Sequence, residues 1–269
     1  MADRLIKLYT NDTELSIRTE KVLREKLEAN GFMIADELTD ECELLVCIGG
    51  DGAFLESIHM YNYPAVPIIG INTGHLGFFQ EISLDQLDLF IEHYKEGKYQ
   101  TQTLNMVAAK ITLPHRTLYL NGLNEIVIKG RNTHAIHLSI SIGGKFIEKC
   151  SGDGILVATA AGSTAYNYSL GGAIVDPRIK LLQVTPIAPM NTTAYRSFTS
   201  SILLPCDLEL GVVPEPEDTR DDTMFIINDG IQHRYNNVKN IEIKFSNKEI
   251  TLLRFEHYYF WDKVKSKFL

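Results

Sequence analysis

Leu44-Leu45-Val46-Cys47-Ile48-Gly49-Gly50-Asp51-Gly52-Ala53-Phe54-Leu55 joins a run of five apolar residues to a glycine-acid turn and a second apolar start. The run has the length and continuity of a buried strand, and Ala53-Phe54-Leu55 reads as the opening of a helix. Asp51 is therefore expected at the carboxyl end of a strand. At that edge of an open α/β sheet, glycines let the backbone approach a phosphate, and a helix N-terminus presents unpaired N–H groups. A carboxylate is no phosphate ligand. Beside a phosphate site, it is suited to take the proton of a hydroxyl that attacks phosphorus.

On either side of this stretch, strand and helix signals alternate. Leu5-Ile6-Lys7-Leu8-Tyr9 reads as a strand, and Asn11 with Glu14 forms a capping pair for a helix ending near Gly31. Phe32-Met33-Ile34 and Pro67-Ile68-Ile69-Gly70-Ile71 are further strands. Ser83 with Gln86 opens a helix whose apolar positions Leu84, Leu87, Phe90, Ile91 and Tyr94 keep helical spacing up to Gly97. Such alternation predicts a parallel sheet.

From about residue 100 the period changes to two. Ile136, Leu138, Ile140 and Ile142 alternate with polar residues up to Gly143-Gly144, a hairpin turn signal, and Phe146-Ile147 begins the return. Strands are also expected at 107–113, 118–120, 126–129, 155–159, 202–204, 208–213, 224–227 and 241–245. The organisation expected is an α/β domain over 1–105, rejoined by a C-terminal tail at 253–269, and a β-rich domain over 106–252. The aromatic segment Tyr258-Tyr259-Phe260-Trp261 packs the tail back onto the first domain.

Composition narrows the function. Apolar residues make up 45% and charged residues 22% of the 269, as in an ordinary globular protein. A net charge of −8 argues against nonspecific nucleic-acid or anionic-membrane binding. Residues 207–222 hold seven carboxylates and one Arg, which a solvated loop explains. No signal-peptide pattern or bilayer-length apolar run is present, so a cytoplasmic location is expected. The four cysteines have neither metal-ligand spacing nor the density of a disulfide framework, and Cys47 reads as a small core residue. The eight histidines show no metal-binding arrangement and read as surface or packing residues.

Neither the dinucleotide fingerprint nor the P-loop is present, so phosphate binding must use another design. The polar residues of Gly152-Asp153-Gly154 and of Gly162-Ser163-Thr164-Ala165-Tyr166-Asn167-Tyr168-Ser169-Leu170-Gly171-Gly172 exceed what a turn needs. Read alone, the Gly-Ser-Thr string contacts ligand, whereas Tyr166 fills the core. Asn124-Glu125, ahead of Ile126-Val127-Ile128, could fix ribose or amide groups; read alone, it is a turn with one solvated carboxylate.

In order and spacing, these motifs, together with Gly74-His75-Leu76-Gly77-Phe78, resemble the NAD kinases over nearly the whole chain. The resemblance implies an α/β domain followed by a β-sandwich-like domain in a homotetramer. It also implies phosphorylation of the adenosine ribose 2′-hydroxyl of NAD by ATP with a divalent metal, Mg²⁺ or Mn²⁺. Asp51 resembles the proton acceptor, with Gly50 and Gly52 beside it. Asn124 and Glu125 match the pair that holds the NAD ribose, and Asp153 a carboxylate near the nicotinamide end. Thr164, Ala165, Tyr166 and Ser169 match the stretch lining the adenine and ribose pocket, and Asn167 and Tyr168 within it belong to the same cofactor-binding set. Phe78 ends a loop over the ligand, Ser151 adjoins the second acid turn, and Ala188 falls where a neighbouring subunit closes the pocket. The active site is then expected in the cleft between the two turns.

The chain departs from the family pattern at Ala53 in place of Thr, Ala160 in place of Pro and Ser151 in place of Arg. The last removes a guanidinium fork suited to phosphate or carboxylate. Rival readings are a lipid or sphingoid-base kinase, which shares the first turn, a phosphofructokinase-type sugar-phosphate kinase, and a catalytically silent NAD(P) sensor.

Overall fold

The computed structural model describes residues 4–75, 77–131, 134–193, 196–215, 223–255 and 258–269. Leu76 of the Gly-His-Leu-Gly-Phe loop, His257 and residues 216–222 of the acidic run lie outside the described residues. Contacts divide the chain into two units, Met1–Thr103 with Glu249–Leu269, and Leu104–Lys248.

The first unit runs β1 (Arg4–Thr10), α1 (Glu14–Ala29), β2 (Phe32–Ala35), β3 (Cys42–Gly49), α2 (Asp51–Met60), β4 (Ile68–Asn72), β5 (Gln80–Ile82) and α3 (Leu87–Glu96). β6 (Gln100–Thr112) then carries the chain onward. β3 pairs in parallel with β1 and β4, and β1 in parallel with β2. Leu44 to Ile48 are all fully buried, as the unbroken apolar run requires of a central strand covered on both faces. Because β2 lies beyond β1 and β4 beyond β3, the chain reverses direction across the sheet between β1 and β3. Asp51 follows the carboxyl end of β3 at this switch point, where α/β sheets bind ligands. The core joins Ile6, Leu23, Leu27 and Val46 to Phe90, Ile91 and Leu253.

Helix starts were only partly legible. The Ser83/Gln86 capping box is present, opening a short 3₁₀ turn that leads into α3, and Gly97 closes α3 at a φ of 70°. At α1 the cap is Thr13 rather than Asn11: the Thr13 hydroxyl accepts the Ser16 N–H at 3.3 Å, while Asn11 Oδ1 accepts from the Thr13 hydroxyl. The cap is therefore two residues later than the Asn11/Glu14 pattern indicates.

The second unit runs β7 (Thr117–Gly122), β8 (Glu125–Lys129), β9 (Ile136–Ile142), β10 (Lys145–Gly152), β11 (Gly154–Thr159), α4 (Tyr166–Ser169), β12 (Leu181–Ile187) and β13 (Ile202–Pro205). It continues through β14 (Leu210–Pro214), β15 (Thr223–Asn228) and β16 (Ile231–Asn236) into β17 (Asn240–Arg254), which leads back to the first unit and to α5 (Phe260–Phe268). One antiparallel sheet has the order β13-β12-β11-β8-β15-β16. A second contains β10, β9, β14 and the first residues of β17. Ile126, Val157 and Val184 from one sheet share a core with Leu138, Ile140, Val212 and Ile241 from the other, which makes the unit a sandwich. The β9–β10 hairpin turns at Gly143 and Gly144, with φ of 56° and 77°, as the Gly-Gly signal requires. β5, β12 and β16 were not anticipated. Among the described residues, no helix is long and apolar enough to cross a membrane.

Candidate active site

In the first unit, Asp51 is the first residue of α2, whose cap Gly50 provides no side-chain hydrogen bond. The Asp51 carboxylate reaches across to the turn before β5: Oδ2 accepts the Phe78 N–H at 2.9 Å and Oδ1 the Phe79 N–H at 3.0 Å. Gly77 permits this approach, since a Cβ there would lie 2.3 Å from Asp51 Oδ1. At Gly50 and Gly52 nothing among the described residues stands within 4 Å of where a Cβ would be. The result is a fixed carboxylate at the N-terminus of a helix, where the first N–H groups have no partner within the helix.

The 77–81 turn is itself braced from the C-terminal segment. Arg254 is buried, 3.1 Å from Glu81 Oε2, and its Nε donates to Gln102 at 2.8 Å. The guanidinium also points at the carbonyls of Phe78 and Phe79 and stacks on Tyr258, 3.7 Å from the ring centroid. Lys263 of α5 donates to the carbonyls of Gly77 and Gln80. Burial, with the Arg254 charge adding to it, pushes the Lys263 ammonium down to about 8. Lys267, one turn further along α5, has its ammonium 3.8 Å from Asp51 Oδ2. The Phe78 ring packs against Phe260 and Phe268, so the part of Phe78 that reaches Asp51 is its backbone N–H. Gln80 is 2% exposed, and neither polar atom of its amide has a partner among the described residues.

In the second unit, Asn124 and Glu125 enter β8 under a different clamp. Asp229, in the left-handed region at φ 48°, accepts N–H groups from Leu123 at 2.7 Å, Asn124 at 2.7 Å and Glu125 at 3.2 Å. From the other side, Thr159 N–H donates to the Asn124 carbonyl at 2.9 Å and the Thr159 hydroxyl to the Leu123 carbonyl at 2.6 Å. Gly162 packs so closely that a Cβ there would lie 2.0 Å from the Asn124 carbonyl oxygen. The expectation of a solvated carboxylate is overturned: Glu125 is 7% exposed, because β8 starts beneath these neighbours. Burial, with the Asp229 charge adding to it, raises the Glu125 carboxyl to about 8. Asn124 Oδ1 and Glu125 Oε2 are buried without a partner among the described residues.

The reading of the glycine-serine string is inverted. Ser163 is fully buried, its hydroxyl donating to the Val175 carbonyl at 3.2 Å and accepting the Val175 N–H at 2.9 Å. Asn167 is fully buried too, and accepts the Thr185 hydroxyl at 2.6 Å. Thr164 is also buried, and Ala165 is half-buried. Tyr166 and Tyr168, by contrast, are exposed, as is Ser169. Small hydroxyl residues can satisfy themselves inside a tight loop, whereas α4 turns its tyrosines outward.

Asp153 is exposed beside Gly152. Ser151 is 4% exposed, with its N–H on the Ser197 hydroxyl at 2.9 Å. Ser151 lines a small cavity of about 10 Å³ with Leu138, Cys150 and Phe198. Ala188 takes a left-handed φ of 45°. Cys47 is a core residue as expected, its thiol pushed up to about 12 by burial.

Sequence reasoning missed Asp229, Gln80, Glu81, Arg254, Lys263 and Lys267. Asn228-Asp229-Gly230 carried a usable signal, an Asp-Gly turn between two strands. The others lie in segments with no local motif.

Family comparison decides the class. The ATP-NAD kinase N-terminal domain matches residues 2–99 and the ATP-NAD kinase C-terminal domain residues 123–255. The NAD kinase of Finegoldia magna is 34% identical over 268 residues, covering 99% of this chain and 98% of its own. The chain belongs to the NAD kinase family. Yeast NADH kinase, solved with NADH, has the same fold as this NAD kinase family member, with a TM-score of 0.85 at 17% identity over 99% of this chain and 87% of that one. An Archaeoglobus fulgidus NAD kinase solved with ATP superposes with a TM-score of 0.77 at 24% identity, over 98% of this chain and 99% of that one. The rival readings are not favoured. Among the described residues of this NAD kinase family member, no three His, Cys, Asp or Glu side chains are grouped to hold a metal ion.

Proposed function

We propose that, in ATP-dependent phosphorylation of NAD at the adenosine ribose 2′-hydroxyl, Asp51 accepts the hydroxyl proton. The observation that carries this role is the Asp51 carboxylate held by the Phe78 and Phe79 N–H groups at the head of α2. There, helix N–H groups favour negative charge on the transferred phosphoryl, while the carboxylate is fixed to receive a proton. The divalent ion, Mg²⁺ or Mn²⁺, is proposed as part of the nucleotide substrate, carried on the ATP phosphates; such ions take few protein ligands beyond them.

In the second unit, the unpartnered Asn124 Oδ1 and Glu125 Oε2 are proposed to bind the ribose hydroxyls of NAD. Tyr166 and Tyr168 offer exposed aromatic faces for the adenine, with Thr164, Ala165 and Ser169 beside them and Asn167 bracing the loop. Asp153 is proposed to face the nicotinamide end. The Ser151 position offers no guanidinium to a phosphate, which distinguishes this pocket from those of family members with Arg there. A homotetramer in which Ala188 closes a neighbour's pocket rests on the family, and a cytoplasmic location is proposed because it suits the four cysteine thiols that form no disulfide.

The test is formation of NADP from NAD, ATP and Mg²⁺ by the wild type and by Asp51→Asn. We expect the variant to lose about 10²–10⁴-fold in kcat while binding NAD with unchanged affinity. Because the asparagine amide would face one of two N–H donors, NAD affinity and melting temperature are measured on the same samples. Wild-type kcat in Asp51→Asn would refute its role as base.

A further inference from the structure

Lys267 lies in the last turn of α5 with its ammonium 3.8 Å from Asp51 Oδ2 and 4.9 Å from the centroid of the Phe78 ring. Its side chain is 36% exposed, so neither contact is forced on it by packing. At 3.8 Å the pair is ionic rather than hydrogen-bonded, and the N–H donors of Lys267 are not spent on Asp51. Lys263, one turn earlier, differs in this respect: its ammonium is buried on the Gly77 and Gln80 carbonyls.

Taking Asp51 as the proton acceptor, on which this inference rests, the reacting phosphorus must come close to that carboxylate. In the step, the ribose 2′-oxygen bonds to the γ-phosphorus and its proton passes to Asp51. The bond from the γ-phosphorus to the β–γ bridging oxygen breaks, and that oxygen leaves with the electron pair on ADP. A carboxylate and a phosphoryl group side by side repel each other until the proton arrives. A positive charge at that point offsets the repulsion, and the Lys267 ammonium next to Asp51 supplies one. As Asp51 gains the proton, its hold on the ammonium weakens, and the ammonium is released to the phosphoryl oxygens. That interaction is stronger in the transition state than in the ground state, which is the condition for raising kcat.

We propose that Lys267 is a catalytic residue whose ammonium binds the γ-phosphoryl group of ATP and, after transfer, the 2′-phosphate of NADP. Three features of the first unit support this. Among the described residues, no atom lies within 4 Å of a Cβ position at Gly50 or Gly52, so glycine lets a phosphoryl approach the α2 N-terminus closely. The Phe78 ring holds the ammonium from one side by cation–π attraction. The same residue gives its N–H to Asp51, so base and cation are placed by one turn.

The experiment compares the wild type with Lys267→Gln, Lys267→Arg and, as a control on the exposed side of the same helix, Lys265→Gln. NADP formation gives kcat and KM, and calorimetry gives the affinities for NAD and NADP separately. Lys265→Gln is expected to match the wild type. Lys267→Gln is expected to lose about 10–100-fold in kcat and about tenfold in NADP affinity, with NAD affinity within about twofold. Lys267→Arg keeps the charge and is expected to recover most of both. Wild-type kcat in Lys267→Gln, an arginine variant no better than glutamine, or parallel loss of NAD and NADP affinity would each overturn the assignment. A wild type that forms no NADP overturns the reading of Asp51, and this inference with it; an active wild type with an equally active Lys267→Gln overturns Lys267 alone.

Discussion

Replacing Glu125 by Gln should stabilise the protein while weakening its hold on NAD. The Glu125 carboxyl is raised from 4.5 to about 8, first by burial and then by the Asp229 charge. Between those values the folded state keeps a proton that the unfolded chain has released. Stability from this group is therefore fully present below pH 4.5 and is lost progressively as pH rises towards 8. At neutral pH the loss spans about 2.5 pH units, and at about 1.4 kcal/mol each it reaches about 3 kcal/mol. Glutamine has the same shape, cannot ionise and suffers no such loss.

The assay is urea denaturation of wild type and Glu125→Gln between about pH 4.5 and 8.5, with NAD affinity measured at each pH. The two curves should meet at the acid end and separate steadily, the variant becoming more stable by about 3 kcal/mol near neutrality. NAD affinity should fall, because the variant exchanges a carboxyl for an amide where ribose hydroxyls are proposed to bind. Curves that run parallel across the range would show that Glu125 ionises normally, and the argument from its burial would fail.

Two further outcomes follow from the bracing of Asp51. Gly77→Ala places a Cβ 2.3 Å from Asp51 Oδ1 and 2.7 Å from Gln80 Oε1, so the carboxylate must move; steady-state kinetics should show kcat down by about 10²-fold or more with NAD affinity nearly unchanged. Arg254→Met strands Glu81, which is only 9% exposed, and chemical denaturation should show a loss of about 3–5 kcal/mol, largely recovered when Glu81→Met is added.

What was legible in the sequence was what is local. The unbroken run 44–48 has the length and continuity of a buried strand, and the Gly-Gly-Asp-Gly turn after it placed Asp51 at the sheet's carboxyl edge. The Ser83/Gln86 box and the Gly143-Gly144 turn were equally local. β12 escaped because Gln183 and Thr185 interrupt its apolar pattern; both are buried and satisfied, Gln183 by exchanging hydrogen bonds with the Ala173 backbone and Thr185 by Asn167. The Asp-Gly turn at 229–230 was readable, but the partners of Asp229 and of Lys267 were not. Each acts on a residue far away in the chain, Asp229 on 123–125 and Lys267 on Asp51, and no spacing rule reaches that distance.

Polar residue type alone misassigned the loop after β11, whereas hydrogen-bond satisfaction sorts it. Ser163, Asn167, Gln183 and Thr185 are polar, buried and paired within the second unit, so they fix the loop's shape. Asn124 Oδ1 and Glu125 Oε2 are also buried but have no partner among the described residues, in a segment clamped from both sides. Leaving each such atom unpaired costs about 1–3 kcal/mol, a penalty a hydroxyl-bearing ligand would remove on binding. The Gln80 amide, beside Gly77 and Asp51 in the first unit, is unpaired in the same way. Burial with satisfied hydrogen bonds thus marks the residues that shape the loop, and it separates them from the Asn124-Glu125 pair proposed to bind ribose.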